Sequence, residues 1–330
     1  MRLVIAAAVA VALLAACGAD DEPAATATTT ATTAATVAPA TTTAPLPDLP
    51  PAVPAPDPRA LVTPTGVVVP VLGTAGAGAL EVRTPCGATA SVAGGTPLFG
   101  ATVVLDPGHG GAEPGALGAN GLREADLNLA VARRTAVRLT AAGATVVLTR
   151  TTDVRVTLTT RALLATRLGA RAMVSVHHNA DPDGPSDRPG TEVWHQVDDA
   201  SSRRLAGLVQ EEVAAAFAAF PDVPWQADRD AGAKARRRSR GDDYYGVLRD
   251  AGVPAAISEG LFLSNPPEAA LLARPDVQQA EADALARAVA RFLTTDDAGS
   301  GFVDAYPRRV AAGPGGGSAG CVDPPLTLPR

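Results

Sequence analysis

Apolar residues along this chain first run unbroken, then thin out, then return in two alternating periods. Residues 3–16 are Leu, Val, Ile and Ala only, shorter than the roughly 20 residues a membrane-crossing helix needs. From 18 to 60 Thr, Ala and Pro dominate without a periodic apolar face. Such a segment cannot bury enough surface to offset chain entropy, and it reads as a disordered tether. Residues 61–100 hold short apolar pieces at 66–72, 79–83 and 88–92 between glycines and prolines, which predicts a small β-rich segment. From 101 the pattern changes. Strands are predicted at 102–105, 145–148, 172–176, 191–194 and 254–258. Helices are predicted at 124–142, 158–168, 202–220, 244–250, 267–273 and 276–293. In the first helix Leu127, Ala130, Val131, Val137 and Leu139 form the apolar face, and Gly143 stops it. The alternation predicts an α/β fold: a mostly parallel twisted sheet with helices on both faces, preceded by a small β-rich appendage. The expected organisation is a leader 1–16, a tether 17–60, a β-rich segment 61–100, a main domain 101–295 and a Gly/Pro-rich tail 296–330.

Charge and cysteines narrow the setting. The net charge of −6 gives no support for nucleic-acid binding. The basic run 234–240 reads either as a solvated loop or as a rim that steers an anionic substrate. Arg2 followed by the apolar run has the form of an export signal. Its ending, Leu14-Ala15-Ala16-Cys17, resembles a bacterial lipobox. That resemblance implies cleavage before Cys17, acylation of Cys17, and anchoring to the outer face of the cell membrane, within the envelope. With Cys17 taken by lipid, Cys86 and Cys321 remain as an even pair in an oxidising compartment. A disulfide is expected, pinning the tail to the start of the domain.

The candidate chemistry begins at Val103-Val104-Leu105-Asp106-Pro107-Gly108-His109-Gly110-Gly111, where an apolar run breaks into a turn that carries a lone histidine among glycines. The chain has four histidines in all. Sheets of this class place their sites at the carboxyl ends of strands. His109, His177 and Glu259 fall at or just past predicted strand ends, and Glu124 opens the first helix. Each has a rival. His178 adjoins His177, and neighbours on a strand face opposite ways. His195 is expected at a rim. Glu113 is nearer His109 in sequence but lies in a mobile Gly-rich loop, 110–121, whereas a helix start holds a ligand more precisely. The loop lacks the Gly-Lys-Ser/Thr ending of a phosphate loop. Asn179 reads as a substrate contact or a turn cap, and Ser175 and Ser264 as structural.

Residues 101–295 resemble the zinc-dependent N-acetylmuramoyl-L-alanine amidase family of the amidase_3 type. The resemblance rests on the 103–111 segment, Glu124-Ala125-Asp126-Leu127-Asn128-Leu129, Leu148-Thr149-Arg150 with Asp153, and Ser175-Val176-His177-His178-Asn179-Ala180. Gly190-Thr191-Glu192-Val193, Val247-Leu248-Arg249 and 258–265 complete it, all in family order. It implies one zinc ion held by His109, Glu124 and His177, and a catalytic Glu259. The implied activity is hydrolysis of the amide between N-acetylmuramic acid and L-alanine in peptidoglycan, for wall remodelling or daughter-cell separation. Two imidazoles and a carboxylate would leave zinc an open position for water, and a nearby glutamate could move that water's proton. The competing expectation is a peptidoglycan-binding lipoprotein without turnover. A zinc peptidase is disfavoured by the missing His-Glu-x-x-His signature. Some relatives carry a helix that blocks the zinc until a protein activator binds. Here 191–194 passes almost directly into 202–220, leaving no room for it.

Overall fold

The structure, a computed structural model, describes residues 44–181, 184–187, 190–220, 231–305 and 316–329. The leader, Cys17 and the tether up to residue 43 lie outside the described residues. In chain order the elements are β1 (Ala60–Val62), β2 (Val68–Gly76), β3 (Ala79–Arg83), β4 (Thr89–Ala93), β5 (Thr96–Leu98), β6 (Val103–Pro107), α1 (Glu124–Ala141), β7 (Val146–Leu148), α2 (Leu158–Leu168) and β8 (Ala172–Asn179). There follow β9 (Glu192–His195), α3 (Ala200–Ala218), β10 (Gly232–Lys234), α4 (Gly246–Asp250), β11 (Ala255–Phe262), α5 (Pro266–Leu272) and α6 (Pro275–Thr294). No described helix is long and apolar enough to cross a membrane.

Val103, Val104 and Leu105 are all fully buried. Val103 and Leu105 belong to a core shared with α1, α3, α5 and α6, while Val104 belongs to a second core with α2 and α4. A strand buried on both faces explains the unbroken apolar run. Helices therefore cover both faces of a six-stranded sheet of order β10-β9-β11-β8-β6-β7.

The mostly parallel expectation holds in part: four of the five pairings in this sheet are parallel and one is antiparallel, so the sheet is mixed. β7, β6, β8 and β11 are mutually parallel, but β9 pairs antiparallel to β11, and β10 runs parallel to β9. The cause lies in the link 180–191, whose described part contains no helix. Parallel neighbours need a crossover. Without one, β9 returns from the edge at which β8 ends and runs the other way. The expected appendage is a separate antiparallel sheet, β4-β3-β2-β1-β5. Leu61, Val67, Val69, Val71, Val82 and Val92 form its own small core.

Other boundaries moved for tertiary reasons. β8 and β11 each run several residues beyond the predicted ends, because β11 is hydrogen-bonded on both sides, to β8 and β9. β10 has no counterpart among the predicted strands, since Gly-Ala-Lys has no strand preference and the β9 edge imposes the conformation. Val137, placed on the apolar face of α1, is 68% exposed. The end of the expected tether is bound to the domain. Leu49 is buried and its N–H meets the Ala142 carbonyl at 2.6 Å, and Thr102 donates to the Pro50 carbonyl at 2.9 Å.

Cys86 and Cys321 are disulfide-bonded. Asp323 accepts from Thr84 Oγ1 and from the Cys86 N–H, both at 2.7 Å. Leu326 packs on the small core, and Gly316, Gly317 and Ala319 bond Glu113, Leu158 and Arg155, so the described part of the tail is fastened both to the five-stranded sheet and to the larger unit.

Candidate metal centre

β6 ends in a tightly tethered turn. The Asp106 carboxylate is buried and accepts from Arg161 Nη1 and Ser175 Oγ at 2.6 Å and from Thr149 Oγ1 at 2.5 Å. Burial pushes this carboxyl up, but the Arg161 charge and these hydrogen bonds outweigh it and hold it below the usual range. Arg161 also donates to the Pro107 and His109 carbonyls at 2.8 and 2.7 Å. Arg150 donates to the carbonyls of Pro107, Gly108 and Ala125 at 2.7–2.9 Å. Burial lowers Arg150 to about 10. Two buried guanidinium groups thus fix the backbone around His109, which sits at φ 59°, a left-handed conformation unusual for a non-glycine residue. Such strain persists where the surroundings impose it, most often at functional sites.

Three predicted ligands converge. His109 Nε2 lies 3.2 Å and His177 Nδ1 3.0 Å from Glu124 Oε1. One donor atom from each residue lies within 4.8 Å of the others, an arrangement able to hold a metal ion. The two imidazoles meet edge to face at 4.9 Å between centroids. Burial lowers the His177 pKa, partly countered by Glu124. Burial raises Glu124, but hydrogen bonds from His109 and His177 and their charge dominate, and it lies well below the usual carboxylate range. A neutral imidazole and an ionised carboxylate are the forms that bind metals.

Two glycines leave the space for this cluster. A Cβ on Gly108 would lie 2.1 Å from the His177 ring, and one on Gly115 would lie 2.4 Å from Glu124 Oε2. The donor set of two nitrogens and one oxygen, with glycine where any side chain would intrude, fits a divalent cation with an open coordination position.

Glu259 stands on β11 directly beside His177, in register across the parallel pair. It is the one residue of β11 that is not buried. His178 turns to the opposite face and is fully buried, as strand alternation requires.

The remaining candidates fall elsewhere. Asn179 is buried, donating to Glu192 Oε2 at 2.9 Å while its own oxygen takes the Ala180 N–H. His195 is buried rather than at a rim, with Nδ1 2.8 Å from the Gln196 carbonyl and its pKa lowered by burial. Glu113 is held away from the cluster by Arg155 at 2.6 Å and the Gly316 N–H at 3.0 Å. The loop expected to be mobile is laced by the Gly110–Glu113 and Leu117–Arg123 bridges and by the Ala116 N–H on Glu124.

The basic run divides between the interior and the surface, where Arg237, Ser239 and Arg240 are exposed. Lys234 is buried, 3.2 Å from Glu192 and stacked on Trp194, while Arg237 and Arg238 pair with Asp198 and Asp242. Ser175 and Ser264 are structural, serving Asp106 and the Asp181 N–H. Sequence reading missed Arg161, Asn128 and Glu281. Each is a polar residue on the buried face of its helix, and that mismatch was the available signal.

Fold and cluster together define an α/β protein with three donor groups able to hold a cation, gathered at the carboxyl ends of the inner strands of a mixed sheet. Residues 103–291 match the model of the Amidase_3 family, described as N-acetylmuramoyl-L-alanine amidase. The chain belongs to that family, and N-acetylmuramoyl-L-alanine amidase is its enzyme class.

It is 34% identical over 195 residues to the uncharacterized protein YqiI of Bacillus subtilis (strain 168), covering 58% of this chain and 85% of that one. It is 33% identical over 179 residues to the N-acetylmuramoyl-L-alanine amidase LytC of the same organism, covering 53% of this chain but only 32% of LytC. Among solved structures, an N-acetylmuramoyl-L-alanine amidase from Clostridium difficile 630 matches with a TM-score of 0.52 at 30% identity, over 60% of this chain and 98% of that one.

Proposed function

We propose that this protein is a zinc-dependent amidase that hydrolyses the bond between the lactyl group of N-acetylmuramic acid and L-alanine in peptidoglycan. The observation that carries the reading is the convergence of His109, Glu124 and His177 beside Glu259, in a chain of this family. His109, Glu124 and His177 would hold the zinc. When bound, zinc supplies Lewis acidity toward the scissile carbonyl and acidifies the attacking water.

Glu259 takes the proton that water loses on attack and returns it to the departing alanine nitrogen. One water is consumed, and a carboxylic acid and an amine leave. Arg150 and Arg161 hold the His109 turn in place through the cycle. β9 ends at His195 and α3 opens at Ala200, with no helix inserted between them. This supports activity without release by a partner.

In this reading the enzyme works in the cell envelope, lipid-anchored through Cys17 to the outer face of the membrane, which the apolar run 3–16 and the lipobox-like ending support. The test is digestion of purified peptidoglycan followed by mass spectrometry. Stem peptides with a free L-alanine amine, absent with chelator and with Glu259→Ala, support the proposal. Zinc-loaded protein that binds wall and releases nothing supports the non-catalytic alternative.

A further inference from the structure

The two adjacent histidines divide between the faces of β8, and the second begins a line of buried polar groups that ends on a metal-site carboxylate. Asn128, one helical turn after Glu124 on α1, sets its direction. Its Nδ2 donates to Glu124 Oε1 and to the Gly108 carbonyl, each at 3.3 Å. Both are acceptors only, so Asn128 Oδ1 must face His178, 2.8 Å away, and His178 Nδ1 is the donor there. His178 Nε2 then meets Glu281 Oε2, on α6, at 3.1 Å.

His178, Asn128 and Glu281 are all fully buried. A Cβ on Gly260 would lie 2.8 Å from the His178 ring and 3.0 Å from Glu281 Oε1, so only glycine lets the line pass β11. Glu281 Oε1 has no hydrogen-bond partner among the described residues. Burying a carboxylate with one oxygen unsatisfied is costly, and stability alone gives no reason for it.

The other end of the line supplies the reason. Glu124 Oε1 receives Asn128 Nδ2 and the His178 N–H at 3.3 Å, and Oε2 receives the Ala116 N–H at 2.8 Å. These three donors set the plane of the carboxylate on which His109 and His177 converge. We propose that Asn128, His178 and Glu281 are positioning residues for Glu124: α6 holds His178, His178 holds the Asn128 amide, and Asn128 holds the ligand carboxylate. The inference rests on the metal reading above. Groups in this relation to a ligand tune metal affinity without touching the metal.

The test is zinc affinity, measured by competition with a chromophoric chelator on full-length protein shown to be folded by circular dichroism. His178→Leu and Glu281→Leu are expected to weaken zinc binding roughly 10–100-fold. Glu281→Gln, whose amide can donate to His178 Nε2, should stay within about threefold of wild type. If a leucine variant fails to fold, Asn128→Ala removes the donor next to Glu124 and is expected to weaken zinc to a similar degree. Folded His178→Leu, Glu281→Leu or Asn128→Ala protein with wild-type affinity, while Glu124→Ala has lost zinc, overturns the positioning role alone. Wild-type protein that takes up no zinc, or Glu124→Ala that binds it normally, overturns the metal reading and this inference with it.

Discussion

The two sheets solve different problems. The six-stranded sheet is covered on both faces, and β6 and β8 are buried along almost their whole length. In the five-stranded sheet only β1 and the first half of β2 are buried in runs, and β4 buries only Val92. Closure on both faces lets the larger sheet hold polar groups inside, in the Asp106–Arg161 pair and the Glu281–His178 line, and groups held this way can be aimed. The smaller sheet has six buried apolar side chains of its own and relies on the Cys86–Cys321 bridge and the tail for the rest. The candidate chemistry lies at the sheet that buries paired polar groups, and the covalent staple joins the tail to the β3–β4 turn of the other.

Substitutions should separate the two. The largest effect is expected at the edge of the larger sheet. Glu259→Ala should cut muropeptide release by roughly 10²–10⁴-fold, with the melting temperature near wild type. A large loss of stability there would show that Glu259 is structural. Next, Arg161→Ala leaves Asp106 charged, buried and unpaired, and should cost about 3–5 kcal/mol in denaturant unfolding. A cost under about 1 kcal/mol would mean that the Asp106 network is not what holds the His109 turn.

Replacing Cys86 and Cys321 with serine removes a link across 235 residues and should cost about 2–4 kcal/mol. Because none of the three candidate ligands is bonded to the tail, the folded variant should keep zinc affinity and activity within about threefold. Loss of zinc binding would join the two regions that the comparison separates.

The smallest effect is a pH dependence confined to the larger sheet. Glu268 accepts the Phe262 and Gly190 N–H groups, and burial outweighs those bonds and raises it to about 7. A carboxyl raised on folding contributes most below its unfolded pKa of about 4.5 and loses that contribution as pH climbs to about 7. The stability difference between wild type and Glu268→Ala should therefore shrink, by on the order of 2 kcal/mol, from pH 4.5 to 7.5. A difference that grows with pH would reverse the sign of the argument.

Most of the larger sheet could be read from period alone, since Val103–Leu105 and α1, α2, α3 and α6 carry strong apolar patterns. β10 could not, because Gly232–Lys234 takes its conformation from the β9 edge. The reversed direction of β9 depended on the link 180–191, whose described part holds no helix, and periodicity does not report that. His109, Glu124 and His177 stood out by residue type and by place at element ends. Arg161, Asn128 and Glu281 act through burial, and burial of a polar side chain becomes visible only once three separated helices are brought around one strand edge. Lys234 shows the same limit, being a cation in a basic run that folding turns inward onto Glu192 and Trp194.

In the proposed enzyme, zinc sits at the carboxyl ends of β6 and β8 with Glu259 beside it. Crystals grown with zinc, measured on both sides of the zinc absorption edge, test this most directly. The account predicts one anomalous peak, about 2.0–2.2 Å from His109 Nε2, His177 Nδ1 and a Glu124 oxygen, with the Glu259 carboxylate facing it. A peak at His195 or Glu113, or none at full zinc occupancy in solution, would contradict it.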